Sequence, residues 1–139
     1  MANVVILGGN FAGLTAALEA KRRLKHADHK VIVVSNRDHF LFVPSLIWVP
    51  FGEREIEDIT LPLRPILEEH GVEFIHATAT KVLPEEHYVE TSEGKIEYDY
   101  LVIATGPKLD YSLPGVNPKE GLVSCICTPH DAMDTRRRF

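Results

Sequence analysis

The apolar residues of this chain fall into runs of two kinds. Some runs are short and nearly unbroken: Asn3-Val4-Val5-Ile6-Leu7, Val31-Ile32-Val33-Val34, residues 72–75 and Tyr100-Leu101-Val102-Ile103. Bounded by glycine or polar residues, such runs predict strands of a parallel sheet buried on both faces. Residues 12–24 have helical spacing instead. Leu14, Ala17, Leu18 and Leu24 lie near one face, and Glu19, Lys21, Arg22 and Lys25 lie on the other. A polar break at residues 26–30 precedes the second strand, so the opening segment predicts a right-handed βαβ unit. Residues 62–70 predict a second helix, with Pro62 at its start and Gly71 just past its end. Lys81-Val82-Leu83, His87-Tyr88-Val89 and Ile96-Glu97-Tyr98 then alternate around turn residues, which predicts a small antiparallel meander. Residues 36–59 and the proline-bearing tail predict loops, with a last helix beginning near Pro129. The expected fold is a three-layer α/β domain. Its parallel sheet holds Val4, Ile32, Phe74 and Val102, with helices on one side and the meander on the other.

The first strand runs into Gly8-Gly9-Asn10-Phe11-Ala12-Gly13, which follows the dinucleotide-binding pattern of a Rossmann-like domain. Gly8 makes the tight turn, and Gly13 lets helix and strand pack closely. The amino terminus of the helix, at Phe11 and Ala12, faces a pyrophosphate. Asn10 stands at the middle glycine position. It tolerates left-handed backbone angles better than most residues, and its amide can donate to a phosphate oxygen. The plain alternative is a glycine turn with no ligand. A strand before the turn and a helix after it favour nucleotide binding. The second strand ends in Ser35-Asn36, where a carboxylate ordinarily holds the adenosine ribose. A hydroxyl makes one ribose hydrogen bond where a carboxylate makes two stronger ones. Arg37 either lies over the adenine or near a phosphate, or is an ordinary exposed loop arginine.

Composition narrows the setting. With 139 residues and 45% hydrophobic content, one domain spanning residues 1–139 is expected. The net charge of −5 excludes a nucleic-acid footprint, which needs a basic surface. Arg136-Arg137-Arg138 reads as a solvated helix face. Gly8 and Gly9 interrupt the first apolar run, so no signal peptide is expected, and the location is cytoplasmic or peripheral to a membrane. The longest apolar stretch, residues 40–51, is too short to span a bilayer and carries Pro44 and Pro50. Cys125 and Cys127 are too close to staple a fold, and they lack the partners of a zinc site.

The stretch Tyr98-Asp99-Tyr100-Leu101-Val102-Ile103-Ala104-Thr105-Gly106 resembles the second FAD signature of the two-dinucleotide-binding-domain flavoproteins. There an aliphatic strand leads into a small-residue turn that passes close to the cofactor. Ala77-Thr78-Ala79-Thr80 resembles the adenine-contacting segment after the third strand, with Ala79 at the contact; an ordinary strand end is the alternative. Three segments are similar to the sulfide:quinone oxidoreductases. They are Phe40-Leu41-Phe42-Val43-Pro44-Ser45 beside the flavin ring, Ala104-Thr105-Gly106-Pro107-Lys108-Leu109, and Ser124-Cys125-Ile126-Cys127-Thr128. The resemblance covers essentially all 139 residues.

The resemblance implies the amino-terminal, FAD-binding portion of an enzyme that oxidises sulfide and passes electrons through FAD to quinone. Its cofactor contacts fall on Gly8, Asn10, Phe11, Ala12, Gly13, Ser35, Asn36, Pro44, Ala79, Thr105 and Gly106. Cys127 matches a family cysteine, to be weighed against a small packing residue. His130 either supports a thiolate or takes a proton from hydrogen sulfide, or is a surface histidine capping the last helix. Residues 35–52 contain no cysteine, which excludes dithiol disulfide reduction at that point. Proteins of this kind continue into a second nucleotide domain, a third FAD segment, the redox cysteine pair and a membrane-facing part. The 139-residue chain alone is therefore expected to be inactive and to hold FAD sub-stoichiometrically or not at all. Phe40, Phe42, Leu46, Ile47 and Trp48 form an apolar patch that predicts a homodimer. Two other readings stay open: a type II NADH:quinone oxidoreductase fragment, and a non-catalytic truncated nucleotide-binding domain.

Overall fold

The structure is a computed structural model that describes residues 1–24, 28–121 and 123–139. Lys25, expected on the polar helix face, and His26 and Ala27 of the predicted polar break lie outside the described residues. The chain divides into two compact units, one of residues 1–40 and 62–106, the other of residues 41–61 and 107–139.

The first unit is built on four parallel strands. In chain order these are β1 (Asn3–Leu7), β2 (Lys30–Ser35), β5 (Glu73–His76) and β9 (Tyr100–Ile103). Their order across the sheet is β5-β2-β1-β9. Between β2 and β5 the chain leaves through β3 (His39–Leu41) and returns through β4 (Thr60–Pro62). The register sets Ile6 opposite Val33 on one side and Val102 on the other. Successive strand side chains alternate faces. Ile6, Val31 and Val33 therefore share one face, where they pack on Ala17 of α1 (Phe11–Arg23) and on Leu63 and Leu67 of α2 (Leu63–Glu69). Val5, Leu7, Ile32 and Val34 share the other, packed with Ala77 and Val89. That second layer is the meander of β6 (Ala79–Leu83), β7 (Tyr88–Thr91) and β8 (Gly94–Glu97), antiparallel with Val82 opposite Val89 and Val89 opposite Ile96. The expected three layers are present, and Val102 lies inside the sheet.

One strand departs from its expectation. Residues 100–103 read as buried, but β9 is an edge, with Tyr100 66% and Ile103 64% exposed. An unbroken apolar run identifies a strand without saying how many neighbours will flank it.

The second unit has its own small core of Leu41, Leu46, Val49, Ile59 and Ala132, with Ile56 and Met133 against it. Short 3-10 turns at Val43–Trp48 and Glu57–Ile59 supply most of it, together with α3 (Pro129–Arg138). Thr128 caps α3, its Oγ1 accepting from the Asp131 N–H at 3.1 Å, with Pro129 following the cap. The three terminal arginines are engaged rather than simply solvated. Arg136 donates to Glu55 at 2.8 Å, Arg137 pairs with Asp134, and Arg138 donates to the Pro118 carbonyl at 3.0 Å.

The apolar patch expected over residues 40–48 is also redistributed. Phe40 belongs to the first unit, where its ring meets Phe11 edge-on at 4.9 Å, and Leu46 is 1% exposed in the second core. Phe42, Ile47 and Trp48 remain 45%, 48% and 52% exposed. No described helix is long and apolar enough to cross a membrane.

The two ends of the burial scale make a direct comparison. Ile6 is fully buried in the central strand, and Ile6→Ala should lower the unfolding free energy by about 2–5 kcal/mol. Ile103→Ala on the exposed edge should change it by less than about 1 kcal/mol. Denaturant titration followed by circular dichroism measures both.

Candidate functional site

Three parallel strands end together at Gly8. The Gly8 N–H donates to the Val34 carbonyl at 2.8 Å, and the Ala104 N–H donates to the Leu7 carbonyl at 2.8 Å. These bonds tie the carboxyl ends of β2, β1 and β9. Gly8 sits at φ +107°, and a Cβ there would collide with the Ala104 carbonyl. A Cβ on Gly13 would overlap the Gly8 carbonyl oxygen, and one on Gly9 would come within 2.5 Å of Leu63 Cδ1. The glycines thus bring the first turn of α1 down onto the strand end. Gly9, which the motif reading left without a role, takes part in this close packing; its own glycine was the signal.

Asn10 corrects an expectation. Its φ of −102° and ψ of −157° are extended, not left-handed, and its carbonyl accepts the first helical bond from the Leu14 N–H at 2.8 Å. It is an N-cap position, so no unusual backbone angle selects a residue there. Phe11 and Ala12 follow with their side chains exposed. The positive dipole end of α1 is suited to an anion.

Beside this turn lies a cavity of about 220 Å³ lined by Gly8, Ser35, Asn36, Ala77, Ala79 and Thr105, with Leu7, Val34 and Thr78. It brings together five positions that the motifs pointed to: Gly8, Ser35, Asn36, Ala79 and Thr105. Complete small-molecule pockets run to about 300–1,000 Å³, so this one suits part of a dinucleotide. Its chemistry is backbone, methyl and hydroxyl. Ser35 is 7% exposed, and its Oγ accepts from the Arg37 N–H at 3.1 Å. That bond uses an acceptor and leaves the hydroxyl proton to donate. His76 Nε2 lies 3.2 Å from the Asn36 carbonyl, outside the cavity lining. Gly106, two residues past Ala104, has φ +75° with open space around its Cα.

The remaining candidates are in the second unit. Pro44 is exposed in the Val43–Trp48 turn. Cys127 is exposed, and its N–H donates to Cys125 Sγ at 3.4 Å. The Cys125 side chain, followed by burial, pushes the Cys127 thiol above its usual range, the opposite of what an activated thiolate needs. His130 is 76% exposed, and its Nδ1 faces Asp131 at 3.7 Å and Asp134 at 3.6 Å. Capping of α3 falls to Thr128 rather than to this histidine. Sequence reasoning missed the cluster that surrounds Cys125. The Tyr111 hydroxyl lies 3.2 Å from Cys125 Sγ and 3.3 Å from Asp131 Oδ2, and Thr135 Oγ1 donates to the Cys125 carbonyl at 2.7 Å. The Thr128-Pro129-His130-Asp131 cap signature was legible, whereas Tyr111, 20 residues from Asp131, gave no local signal.

The sequence profile of the pyridine nucleotide-disulphide oxidoreductases matches residues 2–137. A sulfide-quinone reductase of Aquifex aeolicus is 38% identical over 138 residues, covering 99% of this chain and 31% of that protein. A solved structure, the sulfide:quinone oxidoreductase from the hyperthermophilic bacterium Aquifex aeolicus, superposes with a TM-score of 0.85 at 38% identity, again over 99% of this chain and 31% of the other. A type II NADH:quinone oxidoreductase of Staphylococcus haemolyticus is 31% identical over 104 residues, 74% of this chain and 26% of that protein. The chain therefore spans roughly a third or less of the lengths of these relatives.

The glycine contacts predict unequal effects of one methyl group. Gly13→Ala forces α1 away from the Gly8 carbonyl and should destabilise by about 1–3 kcal/mol, as overpacking does. Gly106→Ala meets no neighbour and should cost only the left-handed backbone penalty of about 1–2 kcal/mol. Only Gly13→Ala should also shift the amide signals of residues 8–13 in an NMR spectrum. Equal, small responses from both variants would contradict the close-approach assignment.

Proposed function

The chain belongs to the pyridine nucleotide-disulphide oxidoreductase family, and on that premise we propose that it is the FAD-binding portion of a sulfide:quinone oxidoreductase, both units belonging to one amino-terminal domain. The supporting observation is the cradle at the carboxyl ends of β2, β1 and β9. Gly8 lies too close to the Ala104 carbonyl, and Gly13 too close to the Gly8 carbonyl, for a side chain at either glycine, and a cavity without charged lining residues opens beside them. These residues fit an adenine dinucleotide. The first N–H groups of α1, at Phe11 and Ala12, receive the pyrophosphate, with Asn10 beside it. Ser35 and Asn36 hold the ribose, and Ala79 lies at the adenine. Thr105 and Gly106 keep the second turn small where the cofactor passes. The role of Pro44 beside the flavin ring rests on resemblance alone.

FAD, when bound, supplies two-electron transfer between sulfide and quinone. The cavity contains no general acid or base, so the chain's own contribution there is binding and orientation. Cys127 is the sulfur-handling thiol of this reading and His130 its proton acceptor. The exposure of Cys127 keeps its Sγ reachable, and its raised thiol pKa means that it meets substrate as the protonated thiol at neutral pH. Quinone and any peripheral membrane contact belong to sequence beyond this chain. A type II NADH:quinone oxidoreductase remains the second reading, because a relative of that name is 31% identical.

The complete gene product decides between the two readings. It should reduce a short-chain quinone with sulfide as donor, and Cys127→Ala should lower that rate by about tenfold or more, equivalent to about 1.4 kcal/mol. NADH-dependent reduction that Cys127→Ala leaves intact would favour the second reading and overturn the first.

We also propose that the 139-residue chain pairs with a second copy through the exposed Phe42, Ile47 and Trp48 side chains. Sedimentation at micromolar concentration should give a dimer, and Trp48→Asp should shift it to monomer. A strict monomer before substitution would exclude this association.

A further inference from the structure

The chain contains two cysteines, Cys125 and Cys127, both free thiols in the second unit. The function proposed above uses only Cys127. Cys125 is half-buried, whereas Cys127 is exposed. The Cys127 N–H donates to Cys125 Sγ at 3.4 Å, so the Cys125 side chain lies forward over the peptide that carries Cys127. Cys127 Sγ joins that same nitrogen through its own Cα and Cβ, and rotation about χ1 of Cys127 carries its sulfur past this side. The two side chains already interact, since Cys125, followed by burial, is what raises the Cys127 thiol. Other groups hold Cys125 in place. The Tyr111 hydroxyl lies 3.2 Å from its Sγ, and Thr135 Oγ1 of α3 donates to its carbonyl at 2.7 Å. A small disulfide in solution therefore reaches Cys127 first, with Cys125 standing beside it to resolve the product.

We propose that Cys125 and Cys127 form a local dithiol–disulfide couple oxidised by low-molecular-weight disulfides, with Thr135 as the residue that positions Cys125. In the first step the Cys127 thiolate attacks one sulfur of a small disulfide, RSSR. A bond forms between Cys127 Sγ and SR, the RS–SR bond breaks, and the departing thiolate takes up the proton that Cys127 gave to water. In the second step the Cys125 thiolate attacks Cys127 Sγ. The Cys125–Cys127 bond forms, and the second RS⁻ leaves and is protonated in the same way. Two electrons pass from the protein dithiol to the small disulfide, and two molecules of RSH are released. The raised Cys127 thiol slows the first step without changing this balance. The closed ring spans residues 125–127 alone, so it staples no distant segments. Its effect is chemical: closure withdraws the Cys127 thiol, and a small thiol restores it. Neither FAD nor sulfide takes part, so the couple stands or falls apart from the function proposed above. Where both hold, closure removes the sulfur-handling thiol.

The test equilibrates the 139-residue chain with mixtures of reduced and oxidised glutathione, quenches with acid, and measures free thiols and mass. With only two cysteines in the chain, each product is identified by its mass. The expected product is a single chain that has lost both thiols and two hydrogens and carries no glutathione. Any Cys-x-Cys pair closes to some extent in an unfolded chain, so the same titration in guanidinium chloride supplies the reference. The equilibrium constant for closure should be about tenfold higher in the folded chain, equivalent to about 30 mV. Thr135→Val should bring the folded value down to the denatured one, and Thr135→Ser, which keeps the hydroxyl, should preserve the advantage. Circular dichroism checks that each variant is folded. Cys125→Ser should leave a glutathione adduct on Cys127 in place of the ring. A lasting adduct on Cys127 of the unmodified chain, a covalent dimer, or a folded constant no greater than the denatured one would overturn the proposal. So would an advantage that folded Thr135→Val retains in full.

Discussion

The contact between Gly13 of α1 and the carbonyl of Gly8 is the constraint on which the rest of the first unit depends. A helix can follow a strand with many geometries, but only the absence of a Cβ lets its first turn lie on the strand's last peptide. Gly8 repeats the device one strand over, against the Ala104 carbonyl. With both contacts made, the carboxyl ends of β2, β1 and β9 come level and are cross-bonded through Gly8 and Ala104. The cavity between Ser35, Ala79 and Thr105 is what remains beside that junction. It is also where the strand order turns back on itself, since β1 is followed by β2 on one side and by the much later β9 on the other. Such a crevice is the general location of ligands in open α/β sheets.

The chemistry of the two units differs in kind. The cavity in the first offers peptide groups, a hydroxyl and small methyl groups, and it lacks any group suited to moving protons. Reactivity there has to come from what is bound. The second unit holds the thiols, and it holds them in a hydrogen-bonded surrounding. Cys125 takes bonds from Tyr111 and from the Cys127 N–H, and its carbonyl takes one from Thr135. Cys125 in turn raises the Cys127 thiol, and its bond with Tyr111, then burial, raises the tyrosine hydroxyl. The neutral forms of Cys127 and Tyr111 are favoured, which suits an ordered structural network as well as a thiol that waits for a base.

Local pattern was a good guide wherever local geometry decides the outcome. Unbroken apolar runs marked all four parallel strands, with β5 displaced by a single residue, from residues 72–75 to Glu73–His76. The alternating segments marked the meander, and Pro62 and Gly71 bracketed α2. Glycine spacing located the junction at residues 8–13. Asn10 was the exception: a motif slot ordinarily filled by glycine suggested a left-handed backbone, whereas the helix cap there is extended.

By itself, then, the sequence determined the strand–helix order, the faces of the sheet and the glycine turn, because each is encoded within a few neighbouring residues by side-chain periodicity or by the lack of a Cβ. Only the tertiary structure decided that β9 is an exposed edge, that Leu46 is core while Trp48 is surface, and that residues 41–61 join residues 107–139 in a second compact unit. It also decided that Arg136 reaches Glu55 and that Tyr111 meets Cys125. Each of these depends on which distant segment arrives as a neighbour. Hydrophobic burial is non-directional, so an apolar residue specifies that it will be covered and not by what.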